Sequence, residues 1–394
     1  MRSFIVDHVR TRVGKYGGAL SEVRPDDLAA QVLKSLVERN NLDSTAVEEV
    51  IFGAANQAGE DNRNLARMAL LLADFSVEVP AYTVNRLCAS GLQAVANAWE
   101  GILSGRVEMA LAGGVESMSR APWVIEKPSK AWAKPGNIYD SALGWRFVNP
   151  KMAVHDQGNT ILSLGLATEK LAKEHGINRN ESDEFAARSH KLAAESWRTG
   201  FFASHIIDIE LAQPLEIDET IRETTTVTGL AALKPSFAPD GIITAGNSSP
   251  LSDGASALLI VSENALKRFD LKPMAEIIGY EVAGVKPYQF GFGPVPAIEN
   301  LLKKKKLKID DLDAIEINEA FAAQVVLCQK ALKIDESKLN AQGGAIALGH
   351  PLGSSGSRIL GTLIERLKRN NLELGIASLC IGVGQGAAML IKRV

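Results

Sequence analysis

The second half of the chain repeats the first half at an offset of 265 residues, which is the separation between Leu33 and Ile298. Four segments share this register: one pair has the apolar period of a helix, two pairs read as buried strands, and the fourth pair opens a helix. This agreement predicts two similar α/β halves, each a mixed sheet covered by helices. The corresponding segments are Leu33, Leu36 and Val37 with Ile298, Leu301 and Leu302, the strands 47–53 and 107–112 with 312–318 and 372–377, and Ser90-Gly91 with Ser355-Gly356.

The stretch from about 120 to 245 has no counterpart in the second half. It begins rich in Trp, Pro and Asn, and its charged amphipathic run near Arg179 to Arg198 predicts a helix. We interpret the stretch as an inserted loop domain over the active face, a suitable position for binding substrate. The predicted organisation is an N-terminal half over 1–265, which carries this insertion, and a C-terminal half over 270–394.

The composition excludes several classes of protein. A chain of 394 residues suggests two domains or one large α/β unit, and a formal net charge of −3 gives no basic surface for nucleic acid. Three cysteines are too few for a disulfide framework and fit no zinc motif, which favours a reducing compartment. No apolar run approaches the roughly 18 residues that span a bilayer. The N-terminus has no signal-peptide pattern, so we expect a cytoplasmic protein.

A cysteine, Cys88, stands in a turn at 85–91 immediately before a segment that predicts a buried helix. The unpaired N–H groups and the dipole of a helix N-terminus favour a thiolate at such a position. The same N–H groups can hold an oxyanion on a substrate carbonyl. We therefore expect Cys88 to be a reactive thiol, and a histidine is the usual base for such a group.

His350 and Cys380 lie near the C-terminus in glycine-rich surroundings. His350 ends the run at 343–350 and is either a base for Cys88 or a loop histidine with satisfied hydrogen bonds. Cys380 precedes Gly382 and is either a small apolar residue ending a buried strand or a second reactive thiol. Two thiols can serve disulfide exchange or acid–base chemistry. Exchange usually uses a Cys-x-x-Cys turn, which this sequence lacks.

Asn318, Cys328 and a basic run each allow a structural interpretation. Asn318 follows the repeated strand where the first half has Gly53, so it either positions a hydrogen-bond donor or caps a helix over 319–332. Cys328 lies within that helical segment, and we expect it in the apolar core. The run Lys303–Lys306 is typical of a solvated helix end.

Seven motifs, spread over essentially the whole chain, carry a resemblance to a known family. They are Val9-Arg10-Thr11 with Gly14, Asn85-Arg86-Leu87-Cys88-Ala89-Ser90-Gly91, Gly113-Gly114-Val115-Glu116-Ser117-Met118-Ser119, Thr244-Ala245-Gly246-Asn247, Asn318-Glu319-Ala320-Phe321-Ala322, residues 343–351, and Cys380-Ile381-Gly382 with Gly384-Gln385-Gly386. Together they closely resemble the thiolases. The resemblance implies duplicated βαβαβ halves, each a mixed five-stranded sheet covered by helices, with an inserted loop domain.

The resemblance implies an acyltransferase that works through an acyl-cysteine. Cys88 would attack the keto carbon of a 3-oxoacyl-CoA while His350 accepts its proton, and Cys380 would protonate the departing acetyl-CoA enolate. Free CoA would then take the acyl group from Cys88. One oxyanion site would consist of His350 and a water held by Asn318, and the other of the backbone N–H groups of Cys88 and Gly382.

The resemblance also implies how substrate is bound. Arg222 and Ser249 match positions that contact CoA, Ala245 belongs to a matching motif assigned to the same site, and Leu164 matches a position that lines the acyl pocket. Coenzyme A would be a co-substrate, with no metal or redox cofactor needed. We expect a homodimer or homotetramer that binds neither nucleic acid nor a membrane.

Within the family, 56–64 and 144–150 look most like enzymes that cleave 3-oxoadipyl-CoA, a dicarboxylic acyl-CoA formed during aromatic-acid breakdown. A distal carboxylate needs a cationic partner, and Arg146 is either that partner or a surface arginine. Departures from the family pattern bear on acyl-chain preference rather than on the chemistry. They are Arg12, Ser163-Leu164, Lys170 and Gln342.

Three alternatives to a degradative thiolase remain at this point. A biosynthetic acetyl-CoA C-acetyltransferase would condense two molecules of acetyl-CoA to acetoacetyl-CoA. A catalytically silent CoA- or lipid-binding protein could share the fold, but the joint presence of Cys88, His350, Cys380 and Asn318 argues against it. A disulfide oxidoreductase would lack its usual motif. Cleavage rates for several 3-oxoacyl-CoAs and trapping of an acyl group on Cys88 distinguish these alternatives.

Overall fold

The computed structural model describes residues 2–56, 59–210 and 214–394. Within these ranges we find no helix whose length and hydrophobicity would let it cross a bilayer. The strands are β1 (Ser3–Arg10), β2 (Gly14–Lys15), β3 (Glu49–Gly53), β4 (Ala81–Val84), β5 (Met109–Ser117), β6 (Trp123–Ile125), β7 (Ile138–Asp140), β8 (Ser252–Ser262), β9 (Ala275–Gly284), β10 (Ala314–Ile317), β11 (Leu374–Ile381) and β12 (Gln385–Arg393). The helices are α1 (Pro25–Arg39), α2 (Leu65–Leu72), α3 (Ser90–Leu103), α4 (Pro150–Val154), α5 (Leu164–Glu174), α6 (Arg179–Arg198), α7 (Val227–Ala231), α8 (Glu263–Arg268), α9 (Pro294–Lys305), α10 (Ala322–Leu332), α11 (Ala345–Leu348) and α12 (Leu352–Arg369).

One mixed sheet runs through both halves in the order β10-β11-β12-β9-β1-β8-β5-β3-β4, with β2 beside β8. β3 pairs in parallel with β4 and β5, and β10 pairs in parallel with β11. The halves join where Phe4 and Ile5 of β1 face Glu276 and Ala275 of β9. The predicted α/β fold class is confirmed, and this direct join between the two sheets is a feature that the repeat did not predict.

The two halves differ in their strands. The first half contributes the five strands β1, β8, β5, β3 and β4, as expected. In the described part of the second half the sheet has β9, β12, β11 and β10, and β10 has an isolated parallel bridge between Ile315 and Leu339. This short bridge takes the edge position that β4 occupies in the first half.

Three apolar clusters show that helices and sheet alternate in five layers. Alternate residues of β5 point to different clusters, with Leu111 packing beside α1 and α2, and Ala110 and Ala112 packing beside α3 and α12. In β11, Cys380 faces the cluster of α9 and α10. The helices α3 and α12 therefore lie between the two halves of the sheet. Because α12 is enclosed on all sides, it is buried continuously over 353–367.

Local signals explain several element boundaries. The helix predicted after Pro25 is α1, with Pro25 at its first position and two acidic residues in its first turn. The helix predicted from Arg179 to Arg198 is α6, which has a reciprocal capping box between Asn178 and Glu181. The basic run ends α9, and Lys306 takes the left-handed conformation that closes the helix.

The segment from 120 to 245 contains β6, β7 and α4 to α7. Its helices α5 and α6 pack on α10 of the second half, and α6 also contacts α11. The segment thus lies against the elements that follow Asn318 and precede His350. The division of the chain into 1–265 and 270–394, with this segment as an insertion, stays a prediction.

Candidate active site

Cys88 lies in a tightly bonded turn between β4 and α3. The preceding residue, Leu87, has φ 47°, a left-handed conformation that is uncommon outside glycine. The Ser90 hydroxyl donates to the Leu87 carbonyl at 2.7 Å and accepts from the Arg86 N–H at 2.9 Å. Because α3 begins at Ser90, this turn fixes Cys88 just before the helix N-terminus, as the sequence predicted.

The Cys88 thiol is protonated at neutral pH. Burial raises the pKa of Cys88 to about 11, and the hydrogen bond from the Gly382 N–H to its sulfur opposes this shift only in part. The buried carboxyl of Glu116 raises the pKa further. Loss of water outweighs the favourable backbone dipoles, so Cys88 needs a base to become a thiolate.

His350 is held by a short chain of hydrogen bonds. Its N–H donates to the Ser252 hydroxyl at 3.2 Å, its Nδ1 lies 2.6 Å from the Ser355 hydroxyl, and its Nε2 lies 3.3 Å from Nδ2 of Asn318. An amide N–H₂ is a donor only, so Nε2 accepts and Nδ1 carries the proton. Gly349 permits this placement, since it has φ 92° and a Cβ there would lie 2.5 Å from the Ser252 hydroxyl oxygen.

The imidazole of His350 is neutral at physiological pH. Burial lowers its pKa to about 3, and the buried cation Arg358 adds to the shift. A neutral ring keeps a lone pair on Nε2 and can accept a proton. In the described chain its hydrogen bonds go to Ser252, Ser355 and Asn318 rather than to the Cys88 sulfur.

Asn318 follows β10 and does not cap the next helix. Its N–H donates to the Ser378 carbonyl at 2.9 Å, and α10 begins only at Ala322, after Phe321. The capping alternative for Asn318 is therefore wrong. Its Nδ2 points to His350, and its buried Oδ1 has no hydrogen-bond partner among the described residues. That oxygen is an acceptor available to a ligand or water.

Cys380 is the second buried thiol of the site. It pairs with Gly386 across β11 and β12 and has no exposed surface. Burial raises its pKa well above the usual value, and the nearby thiols of Cys88 and Cys328 add to the shift. Cys328 is fully buried in α10, where its thiol donates to the Gly291 carbonyl at 3.3 Å, so its predicted core role is confirmed.

A cavity of about 200 Å³ opens onto Cys88. Most of its wall is apolar, and Gly382 and Leu164 contribute to it. Among the described lining residues, Arg146 is the one with a charged side chain. It is half-buried, and its guanidinium donates to the Ser141 carbonyl at 3.2 Å.

The other predicted substrate residues lie outside the wall of this cavity. Arg222 is exposed, and its N–H donates to His190 Nδ1 at 3.2 Å. Ala245 is exposed, whereas the Ser249 N–H donates to the Ala320 carbonyl, two residues after Asn318. Their assignment to CoA binding stays a prediction. Of the segment 56–64, residues 57 and 58 lie outside the described residues.

Glu116 supports the site but was not singled out from the sequence. Its carboxylate accepts the N–H groups of Ala55 and Gly353 at 2.9 Å and of Asn56 at 3.1 Å. It thereby connects the loop after β3 to the first turn of α12. Burial raises its pKa to about 7. An acidic residue inside an otherwise apolar strand was the signal that could have revealed it.

Comparison with known proteins agrees with this arrangement. The thiolase N-terminal domain family matches residues 3–264, and the thiolase C-terminal domain family matches residues 271–393. The chain is 47% identical to a beta-ketoadipyl-CoA thiolase of Pseudomonas aeruginosa over 99% of both chains. It is 46% identical to the 3-oxoadipyl-CoA/3-oxo-5,6-dehydrosuberyl-CoA thiolase of Escherichia coli, over 100% of this chain and 99% of the relative.

Solved structures show the same fold. The acetyl-CoA acetyltransferase of Bacillus anthracis superposes with a TM-score of 0.92 at 39% identity, over 100% of this chain and 99% of that one. Human mitochondrial 3-ketoacyl-CoA thiolase in complex with CoA gives 0.93 at 38% identity, over 100% and 98%. With both family domains matched and relatives aligned end to end, the chain belongs to the thiolase family and is an acyltransferase.

Proposed function

We propose that this thiolase cleaves 3-oxoadipyl-CoA with CoA to give acetyl-CoA and succinyl-CoA. The observation that carries the proposal is the single charged side chain, Arg146, among the described residues lining the cavity that opens onto Cys88. An arginine can hold a carboxylate through two parallel hydrogen bonds. The names of the relatives from Pseudomonas aeruginosa and Escherichia coli support the same dicarboxylic substrate.

In the first step the Cys88 sulfur attacks the C3 keto carbon, and its proton passes to Nε2 of His350. The pKa directions make this a concerted step, because the resting thiol and the resting imidazole are both neutral. The negative charge that develops on the C3 oxygen is held by the N–H groups of Cys88 and Gly382. The Gly382 N–H already points to the sulfur, so its donor is available next to the carbon under attack.

Collapse of this adduct breaks the bond between C2 and C3. The succinyl group stays on Cys88, and C2 leaves as the enolate of acetyl-CoA, which takes its proton from Cys380. Protonated His350 now donates from Nε2, and with a water held by Asn318 it stabilises the enolate oxygen. The site thus changes His350 from an acceptor into a donor at the moment when negative charge moves to the thioester.

Free CoA completes the reaction. Its thiol gives a proton to the Cys380 thiolate and attacks the succinyl carbonyl, which releases succinyl-CoA. The departing Cys88 sulfur takes back its proton from Nε2 of His350. Each proton has a named donor and acceptor, and no electron leaves the system. On this scheme CoA is a co-substrate, and acyl transfer requires no redox cofactor. The CoA chain would reach the site past Arg222, Ala245 and Ser249, and the acyl chain would extend past Leu164.

The decisive experiment compares two substrates of equal length. 3-Oxoadipyl-CoA and 3-oxohexanoyl-CoA both have six-carbon acyl chains and differ in the distal carboxylate. We expect kcat/KM to be at least tenfold higher for 3-oxoadipyl-CoA, and Arg146→Gln to remove most of this preference. The matched control is Arg198→Gln, because Arg198 is an exposed arginine at the end of α6.

Two outcomes would contradict the proposal. Cleavage of acetoacetyl-CoA alone would favour a biosynthetic acetyl-CoA C-acetyltransferase. Failure to trap a succinyl group on Cys88, when the protein is mixed with 3-oxoadipyl-CoA and no CoA, would favour a silent binding protein. Mass spectrometry of the peptide that contains Cys88 gives that second result directly.

We also propose that the protein acts in the cytoplasm as a homodimer or a homotetramer. The support is the family assignment together with the free state of the three cysteines. A mass measurement in solution distinguishes the two assemblies, and a monomer of 42.2 kDa would contradict both.

A further inference from the structure

Two histidines and a glutamate meet at a place that the acyl-transfer mechanism does not use. They are His8 on β1, His205 in the loop after α6, and Glu365 near the end of α12. All three are buried, and each offers one ligand atom within 4.8 Å of the other two. These residues are far apart in the chain, and the fold alone brings them together.

The histidine pair has an unsatisfied ring nitrogen. Nε2 of His205 is buried and has no hydrogen-bond partner among the described residues, and the side chain is only 2% exposed. The two rings lie 4.7 Å apart between centroids at an angle of 42°. Gly361 on α12 allows this approach, because a Cβ there would lie 2.6 Å from Nδ1 of His8. A buried ring nitrogen without a protein partner is free to bind water or an ion.

We propose that His8, His205 and Glu365 form a binding site for one divalent transition-metal ion of the zinc class. Imidazole nitrogen and carboxylate oxygen are ligands that Zn²⁺ accepts, and two histidines with one glutamate are a known three-residue zinc set. Zinc bonds of about 2.0–2.2 Å require ligand atoms to lie about 3.3–3.6 Å apart. The ligand atoms, which lie within 4.8 Å of one another, would have to approach by at most about 1.5 Å to reach this geometry.

The surroundings provide access for such an ion. A cleft of about 560 Å³ opens to solvent beside the cluster and includes all three side chains in its wall. Arg39, at the end of α1, also lines the cleft, and it is paired with Asp7 at 2.9 Å. The remaining lining charges are Asp270, Lys272, Lys368 and Arg393.

The charge state of each ligand is compatible with metal binding. Burial lowers the pKa of His8 to about 4 and that of His205 well below its usual value, so both rings are neutral at physiological pH. Asp7 and Glu365 raise the pKa of His8, whereas Arg39 and Lys368 lower it, and Arg10, Arg39 and Arg369 lower that of His205. The hydrogen bond from Arg369 to Glu365, at 2.7 Å, uses Oε1 and leaves the other carboxylate oxygen for the ion.

The test uses Co²⁺ alone as the probe, because its visible absorption reports ligand geometry. Protein treated with EDTA and then dialysed is titrated with Co²⁺ and, in parallel, with Zn²⁺ by calorimetry. We expect one equivalent of each ion to bind, and His205→Gln and Glu365→Gln to weaken binding at least tenfold. His175→Gln is the matched control, since His175 is an exposed histidine that lies outside the cluster.

Each other outcome overturns the proposal. Absence of stoichiometric binding, or equal binding by the Glu365→Gln variant and the unmodified protein, would show that this cluster is not a metal site. Cobalt–thiolate absorption in the near ultraviolet would place the ion on the cysteines instead. If His205→Gln fails to fold, which circular dichroism reveals, Glu365→Gln alone decides, because it keeps the shape of the side chain.

Discussion

The two halves share a scaffold but differ at the positions where chemistry occurs. The offset of 265 pairs Cys88 with Gly353, and it pairs Gly53 with Asn318. The first half therefore supplies the thiol before its central helix, whereas the second half has a glycine there and an amide at the end of its strand. His350 and Cys380 also come from the second half. In the proposed mechanism both halves keep the same frame, and the first half supplies the nucleophile while the second half supplies the groups that move protons.

The largest predicted effect is the loss of activity when either thiol is replaced. We expect Cys88→Ser and Cys380→Ser each to lower thiolysis of 3-oxoadipyl-CoA by roughly 10⁴-fold, because each removes one required partner. A partial reaction should distinguish the contribution of the first half from that of the second. Exchange of labelled CoA into succinyl-CoA needs the acyl carrier but breaks no carbon–carbon bond.

In that exchange assay we expect Cys88→Ser to be inactive and Cys380→Ser to retain measurable turnover. The reverse pattern would exchange the roles that we assign to the two cysteines. Equal loss of exchange in both variants would mean that the thiols act only as a unit.

The next effect concerns the contact between the halves. A Cβ added to Gly114 on β5 would lie 1.9 Å from the carbonyl oxygen of Gly353 on α12. Because neither backbone can move freely, we expect Gly114→Ala to lower the free energy of unfolding by about 3 kcal/mol or to prevent folding. Urea denaturation measures this change. Gly284→Ala is the control, since a Cβ there meets nothing within 4 Å, and an equal loss in both variants would refute the explanation.

A smaller effect is expected at Asn318, the amide that the second half has where the first half has Gly53. Replacing it with Ala removes the donor to His350 and the unpaired Oδ1, and we expect kcat to fall by roughly 10²–10³. Asn318→Gly, which restores the residue of the first half, should behave like the alanine variant. Steady-state kinetics with 3-oxoadipyl-CoA measures both, and a change confined to KM would contradict a role in stabilising charge.

The smallest effect is a pH dependence of stability. The repeat pairs Ile51 with Glu316, and burial raises the pKa of Glu316 to about 8 in the fold. Since the folded pKa lies above the unfolded one, the folded state binds the extra proton, and this stabilisation is lost as pH rises through about 8. Glu316→Gln cannot titrate, so its free energy of unfolding relative to the unmodified protein should rise by about 2 kcal/mol between pH 6.5 and pH 8.5.

Urea denaturation of both proteins at the two pH values measures this difference. His8→Gln provides a comparison for buried histidines, whose lowered pKa gives the opposite slope below their unfolded pKa. A difference between Glu316→Gln and the unmodified protein that does not change with pH would show that Glu316 has the same pKa in both states.

Much of the fold followed from the sequence because its signals are local. Helix α6 has a capping box and a continuous amphipathic period, so its limits were predictable. The sequence proposed the four site residues as a set because each stands at an element end, and His350 and Cys380 also stand in glycine-rich motifs. The join between β1 and β9 was not predictable, since it depends on where the second half packs rather than on any pattern within either strand.

Properties that depend on burial were also missed. The dipole of a helix N-terminus favours a thiolate at Cys88, and the sequence does not reveal how far the enclosing protein opposes it by removing water. The left-handed conformation at Leu87 could not be predicted from its residue type, since glycine and asparagine are the residues that usually adopt it. The cluster of His8, His205 and Glu365 combines residues more than a hundred positions apart, which no local motif describes.

The high pKa of Cys88 has a consequence for the empty enzyme in a cell. Peroxides and alkylating agents attack thiolates, so a buried neutral thiol with a pKa of about 11 reacts with them slowly. In the proposed first step, by contrast, the C3 keto carbon of the substrate accepts the sulfur while Nε2 of His350 takes the proton. We therefore expect Cys88 to stay a neutral thiol between turnovers and to lose its proton only when substrate is bound.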